Sequence, residues 1–187
     1  FNDADADIIF RSSDDVDFRL YKVILAKASP VLRTMLDLPQ PSSHTSSTPD
    51  QPHVVKLSED AKTLENVFRL CYPVEHPTVT SLDDVHPILE AARKYDMACV
   101  AANLRCVITP FLSKEPLRVY AIAYMLQMED VAGEAAGLFL EMPQFHIPSP
   151  VPPEFSSLPC LAMYAVHVYR QKCADAALRA LADQEWI

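Results

Sequence analysis

Glycine is almost absent from this sequence. Only Gly133 and Gly137 occur among the 187 residues, and both lie in a stretch whose apolar spacing predicts a helix. A loop that cradles phosphate needs glycines, because its backbone N–H groups must approach the ligand closely. The scarcity of glycine therefore excludes nucleotide binding of the P-loop and Rossmann kinds.

Metal-ligand and nucleophile motifs are also missing. None of the six histidines stands at a ligand spacing from another histidine, a cysteine or a carboxylate, and the five cysteines form no CxxC. Adjacent acids occur only where turns and helix starts are predicted, and there carboxylates stabilise helix N-termini. We therefore expect no catalytic site, no metal, no cofactor and free thiols. A cysteine–histidine nucleophile built from distant residues stays open, although nothing points to it.

Basic residues are outnumbered. The chain has 16 Lys and Arg against 25 Asp and Glu, with a net charge of −9. Non-specific nucleic-acid binding relies on clustered Lys and Arg, so we expect no direct contact with nucleic acid. No apolar run is long enough to cross a bilayer. We expect an intracellular protein of the cytoplasm or nucleus and, because the sequence begins with Phe1, a piece of a longer chain.

The most informative stretch runs from Asp7 to Leu36. A short apolar run, Ile8–Phe10, and a short alternating run with Phe18 and Leu20 on one side flank a polar turn and predict a β-hairpin. A short helix is predicted next, and Ser29-Pro30 marks the start of another, because serine before a proline at the first helical position is a helix-start signal. The second helix ends in Met35-Leu36.

This order of elements resembles the BTB/POZ family. The resemblance is carried by Asp7, Phe18, Lys22, the run Ile24-Leu25-Ala26, Ser29-Pro30-Val31 and Met35-Leu36. It continues in LEAARKYDMACVAANLRCVI and is closest to fungal BTB proteins. The family usually has histidine before the basic residue, whereas this chain has Tyr21-Lys22. The fold implied is α+β, with a small β-sheet flanked by α-helices.

Two domains are predicted. Residues 1–112 form the BTB/POZ domain, interrupted at 39–52 by a mobile loop rich in Ser, Thr and Pro that lacks apolar residues. Residues 113–187 show only helical spacing, including a long helix from about Leu158 to Ala182. This tail resembles the helical extension, BACK-like, that follows many BTB domains.

The resemblance implies a non-enzymatic protein–protein interaction module. Asp7 and Lys22 are placed on neighbouring strand ends, as either a partner-binding pocket or a structural ion pair. Val23 and Ala26 are placed on a self-association face around residues 16–28. The expected partner is a protein: a second copy in a homodimer, or a cullin if the chain is a ubiquitin-ligase adaptor. A third role is to oligomerise a transcriptional regulator. Cullin binders of the family usually carry a hydrophobic-x-acid signal after the Met-Leu helix, and in the corresponding region of this chain, Asp37-Leu38-Pro39-Gln40-Pro41, no acid stands in that place.

Overall fold

The computed structural model describes residues 1–38, 53–141 and 149–182. The mobile loop predicted at 39–52 lies outside these residues. The strands are β1 (Ile8–Arg11), β2 (Asp17–Leu20) and β3 (His53–Lys56). The α-helices are α1 (Lys22–Ala28), α2 (Pro30–Asp37), α3 (Ala61–Cys71), α4 (Val85–Lys94), α5 (Ala98–Ile108), α6 (Pro116–Met125), α7 (Glu129–Leu138) and α8 (Cys160–Ala182). The predicted α+β class is confirmed.

The sheet of the first part of the chain has β1 at its centre. Strand β2 pairs with it antiparallel, with Phe10 opposite Phe18, and β3 pairs with it parallel, with Phe10 opposite Val55. The predicted hairpin is therefore confirmed. Its turn needs a left-handed residue, and Asp15 supplies it with a φ of 61°. Glycine adopts that conformation most easily, but it is scarce in this chain. Short polar side chains such as that of Asp are the next most tolerant.

Aromatic rings join the sheet to α3. The ring of Phe68 lies 6.1 Å from Phe10 and 5.4 Å from Phe18, measured between centroids. Phe1 packs on the same ring at 5.8 Å and on Tyr72 at 5.2 Å. Phe10 and Phe68 are fully buried. Such tilted and edge-on pairs add to the stabilisation that burial of apolar area provides, so α3 is fixed against the hairpin that precedes α1.

The corner between α1 and α2 is fixed by one hydroxyl group. Ser29 is completely buried, and its Oγ accepts a hydrogen bond of 2.9 Å from the N–H of Leu32. The same hydroxyl donates to the backbone carbonyl of Tyr95, just beyond α4. Pro30 occupies the first helical position, as predicted from the Ser-Pro pair. Ser29 therefore caps α2 and attaches the helical corner to α4.

A polar network extends from the same tyrosine. The Tyr95 hydroxyl donates to Glu59 at 2.7 Å, and the Lys94 ammonium lies 2.7 Å from the other oxygen of that carboxylate. Burial raises the pKa of Glu59, but the hydrogen bonds from Lys94 and Tyr95 outweigh it and hold the pKa below its ordinary value. Burial and the bond to Glu59 raise the pKa of Tyr95 to about 12. The network ties the start of α3 to the end of α4.

The second part of the chain is helical in the residues described. The chain divides into two units, 1–104 and 105–187. In the second unit α6 packs along α7, and the Tyr120 hydroxyl donates to the carbonyl of Ala162 on α8 at 2.9 Å. Arg118 on α6 binds the fully buried Glu154, with 3.2 Å between Nη2 and Oε2. The predicted domain boundary after residue 112 stays a prediction.

The start of α4 differs from the one that the sequence pattern favours. The spacing of Ser81 and Asp84 resembles a capping box, but the Ser81 hydroxyl accepts from the N–H of Asp83 at 3.1 Å. A 3-10 turn occupies Leu82–Asp84, and α4 begins only at Val85. Because a 3-10 turn is tighter than an α-helical turn, the N–H two residues after Ser81, rather than three residues after it, comes within hydrogen-bond distance of the serine hydroxyl. Helix α8 begins at Cys160, close to the predicted start.

Replacing Ser29 tests the fixed corner. Ser29→Ala removes the cap of α2 and leaves the buried carbonyl of Tyr95 without this donor. We expect a loss of about 2–4 kcal/mol in the free energy of unfolding, measured by urea denaturation. Ser81→Ala is the control, because it removes one hydrogen bond at a partly exposed turn. If Ser29→Ala and Ser81→Ala lowered the free energy of unfolding equally, the conclusion that Ser29 holds this corner would be contradicted.

Replacing Glu59 tests the polar network. Glu59→Gln is expected to lower the free energy of unfolding by about 1–3 kcal/mol at pH 7. Because the folded pKa of Glu59 is below its ordinary value of 4.5, its contribution is complete above that pH and disappears as the pH falls through the folded pKa. The difference between wild type and variant should therefore shrink in acid. Glu90→Gln, at an exposed carboxylate, should show no such pH-dependent difference; a constant difference for Glu59→Gln would refute the network.

Candidate functional site

The candidate site is built around the N-terminus of α1. A helix leaves its first N–H groups without partners inside the helix. Here the N–H of Tyr21 donates to the Tyr72 hydroxyl at 2.9 Å, and the N–H of Lys22 donates to Oδ1 of Asp7 at 2.8 Å. Burial raises the pKa of Tyr72 to about 12, although the Tyr21 bond acts in the opposite direction. One anchor comes from the end of α3 and the other from the start of β1.

Of the two alternatives for Asp7 and Lys22, the structure does not show the ion pair, and the partner-binding pocket stays a prediction. The two residues are brought together, but the carboxylate binds the backbone N–H of Lys22 and not its ammonium. The Lys22 side chain is exposed and forms none of the ion pairs seen between described residues. The physical reason is the helix start: its free N–H lies beside the strand end and competes for the same oxygen. Asp7 thus acts as a cap supplied from outside the helix.

Val23 and Ala26 share one face of α1. They are three residues apart, which places them one turn apart on the same side of a helix. The side chain of Val23 is 65% exposed and Ala26 is half-buried, whereas Leu25 on the opposite side is fully buried. Helix α1 is therefore attached to the core through Leu25 and presents its two smaller apolar groups outward.

The C-terminal end of α1 is also held. The Nε of Arg33 donates to the carbonyl of Ala26 at 2.9 Å, which satisfies one of the acceptors that a helix leaves free at its end. Ser29 follows directly and is buried. Hydrogen bonds therefore hold both ends of α1 against the rest of the unit.

Charges of both signs border this face. Lys22 and Lys27 are exposed on α1, and Asp3 and Asp5 are exposed in the segment before β1. The Tyr21 hydroxyl donates to Asp5 at 2.7 Å, and this hydrogen bond, with burial and the nearby acids, raises the pKa of Tyr21 to about 12. The residue that departs from the family pattern, Tyr21, therefore organises the acidic segment beside α1.

A comparison with protein families supports the fold independently. The sequence model of the BTB/POZ domain matches residues 2–110, more than half of the chain. The chain belongs to the BTB/POZ family. No curated protein matches the sequence. The fungal type and the BACK-like character of the C-terminal helices stay predictions.

BTB/POZ domains are protein–protein interaction modules and are generally non-enzymatic. Within the described ranges, no group of three His, Cys, Asp or Glu side chains is placed to hold a metal ion. No helix in those ranges has the length and apolarity that crossing a bilayer requires. The face of α1 is thus the candidate site of a binding module.

Two features of this region were not evident in the sequence. The anchoring hydroxyl of Tyr72 lies 51 residues from Tyr21, so no local spacing connects them. The bond from Arg33 to Ala26 crosses from one short helix to the other, and no helical-face pattern predicts it. A helix start without a capping side chain of its own was the one available signal, since Tyr21 cannot cap as Ser or Asp does.

Substitution of Asp7 separates capping from ion pairing. Asp7→Ala removes the acceptor and should lower the free energy of unfolding by about 1 kcal/mol. Asp7→Asn keeps an oxygen at the same place and should stay close to wild type. Lys22→Ala should change stability by less than about 0.5 kcal/mol, because only its exposed side chain is removed. The free energies of unfolding are measured by urea denaturation. If Lys22→Ala lowered this free energy as much as Asp7→Ala does, the result would support an ion pair between the two side chains.

Proposed function

We propose that this BTB/POZ chain self-associates as a symmetric homodimer through the face of α1 that bears Val23 and Ala26. The observation that carries the proposal is the 65% exposure of Val23 on a helix that is hydrogen-bonded at both ends. A rigid surface loses little conformational entropy on binding, so its apolar contact area converts more fully into affinity. Asp7 contributes by holding the helix start.

The charge distribution supports pairing between identical surfaces. In a two-fold contact each copy presents the same patch, so a surface must complement itself. The exposed Lys22 and Lys27 on α1 and the exposed Asp3 and Asp5 beside it provide both signs. Rotation by two-fold symmetry can set the lysines of one copy near the acids of the other. Such complementarity mainly fixes orientation and speeds association.

Charged substitutions on α1 test the interface. The double variant Val23→Asp/Ala26→Asp places unpaired charge at the contact of both copies. We expect self-association to weaken by at least ~3 kcal/mol, about a hundredfold in the dissociation constant. Sedimentation should give a smaller weight-average mass than wild type at equal concentration. Val23→Lys/Ala26→Lys should act alike, which separates charge from the poor helix propensity of Asp.

A matched control uses an exposed valine elsewhere. Val74 is 44% exposed outside α1, so Val74→Asp should leave the mass unchanged. Wild-type protein that stays monomeric at high micromolar concentration would refute self-association. In that case the same α1 face would serve a different protein partner.

Two other roles remain from the family resemblance. A substrate adaptor of a cullin-type ubiquitin ligase would bind a cullin, and a transcriptional regulator would use this domain for oligomerisation. Helix α2 ends at Asp37, and the residues that follow, Leu38-Pro39-Gln40-Pro41, supply no further acid for a cullin contact. Direct binding of purified cullin to the chain by calorimetry would favour the adaptor role over self-association.

A further inference from the structure

The second unit contains a groove between α6, α7 and α8, with a volume of about 660 Å³. We call it the tyrosine groove, and its characteristic lining residues are Tyr120, Tyr124, Met125, Met128, Glu129 and Tyr169. Pockets of this size bind small molecules, and most of them combine apolar and aromatic walls with a few polar groups that set specificity. The lining therefore indicates which class of small molecule the groove suits.

Tyrosine rings line the groove from two helices. Tyr120 and Tyr124 lie one turn apart on α6, with 6.1 Å between their ring centroids and 39° between their planes. Tyr169 lines the groove from α8. The face of an aromatic ring carries partial negative charge and attracts a cation that lies within about 6 Å of the ring centroid. Rings from two walls therefore favour a cationic group over a neutral or an anionic one.

The innermost ring is held in place by the protein. The Tyr120 hydroxyl donates to the carbonyl of Ala162 at 2.9 Å, and the ring packs edge-on against Phe139 with 5.8 Å between centroids. Tyr120 is buried, whereas Tyr124 and Tyr169 are 36% and 39% exposed. A ring that is already fixed loses little conformational freedom when a ligand binds. The two outer rings are accessible to a ligand that enters from solvent.

A carboxylate gives the groove its charge. Glu129 is exposed and forms none of the ion pairs seen between described residues, whereas the adjacent Asp130 is paired with Arg105. No Lys, Arg or His is among the described lining residues. Helix α6 ends and α7 begins at the groove, and the partial charges of these two helix ends are opposite in sign. The carboxylate therefore decides the sign, and the groove presents negative charge.

The remaining walls are small and apolar. They are formed mainly by Ala123, Ala132, Ala136, Ala165 and Val166. A primary ammonium group has three N–H donors, and burying it beside such walls leaves donors unpaired, which is costly. A fully alkylated ammonium has no N–H donor and keeps its positive charge. The lining therefore suits a quaternary ammonium group better than a primary one, and it also offers contact area to an apolar chain.

We propose that the tyrosine groove binds a small molecule that carries a quaternary ammonium group on an apolar chain. The cationic group lies against the rings of Tyr124 and Tyr169, where the Glu129 carboxylate balances its charge. The apolar chain lies along the alanine and methionine side chains of the groove. All residues of this site belong to the second unit, so the proposal does not depend on association through α1.

Matched ligands test the role of charge. Choline and the neutral alcohol in which a carbon atom replaces its nitrogen have the same shape and differ in charge. We expect choline to bind the full chain at least about fivefold more tightly, in titrations followed by NMR of the tyrosine rings. Hexyltrimethylammonium should bind more tightly than choline, because its chain buries more apolar area. Equal binding of choline and the neutral alcohol would overturn the proposal.

Substitution of Tyr124 tests the role of the rings. Tyr124→Leu removes an aromatic face and keeps an apolar side chain, so it should weaken binding of hexyltrimethylammonium about fivefold. Tyr124→Phe keeps the ring and should stay within about twofold of wild type. Tyr164→Leu is the matched control, because Tyr164 is 62% exposed on α8 and does not line the groove. Equal losses for Tyr124→Leu and Tyr164→Leu, or a Tyr124→Phe protein as weak as Tyr124→Leu, would overturn the proposal.

Substitution of Glu129 tests the carboxylate. Glu129→Gln should weaken binding of hexyltrimethylammonium about threefold at low salt, and the difference from wild type should shrink as salt screens the charge. Glu134→Gln is the matched control, because Glu134 is an exposed carboxylate on the same helix that does not line the groove. Equal effects of the two changes would contradict the role of Glu129. A trimethyllysine peptide that bound more tightly than hexyltrimethylammonium would overturn the assignment to a small molecule.

Discussion

The first unit depends on one buried hydroxyl group. The Ser29 hydroxyl donates to the carbonyl of Tyr95 and accepts from the N–H of Leu32. One side chain therefore caps the start of α2 and also binds the residue that follows α4. Tyr95 then continues the path through its own hydroxyl to Glu59. Hydrogen bonds of this kind add modest net stability, but an unsatisfied group in the same place costs more. The corner between α1 and α2 is therefore held in one position relative to α4 and the start of α3.

The constraint at Ser29 determines what α1 can present. Its buried Leu25 fixes which side faces the core, and the bonds to Asp7 and Arg33 fix its two ends. Under these conditions the exposed side of α1 has a single orientation. The Asp7 carboxylate binds the backbone N–H of Lys22, and Val23 stays exposed on the apolar face. The proposed contact therefore depends on how α1 is positioned.

The elements were predictable because their signals are local. The hairpin follows from the alternation around Phe10 and Phe18, and the start of α2 follows from Ser29-Pro30. The contacts that position α1 were not predictable, since Tyr21 and Tyr72 are 51 residues apart. The buried pair of Arg118 and Glu154 spans 36 residues and joins two helical segments that have no shared periodicity. The spacing of apolar residues along a helix predicts which residues are buried. It does not predict which polar groups from distant parts of the sequence form hydrogen bonds or ion pairs with that helix.

The scarcity of glycine has a structural consequence. In the part of the chain that the structure describes, three turns place non-glycine residues in the left-handed region: Asp15, Asp96 and Gln127. Each costs about 1 kcal/mol relative to glycine, least for the aspartates, whose short side chains bond locally. The two glycines of the chain are instead in α7, where each costs up to about 1 kcal/mol relative to alanine. Neither is required by packing, because a Cβ at Gly133 or Gly137 would meet no atom within 4 Å. Nothing in the structure explains either glycine.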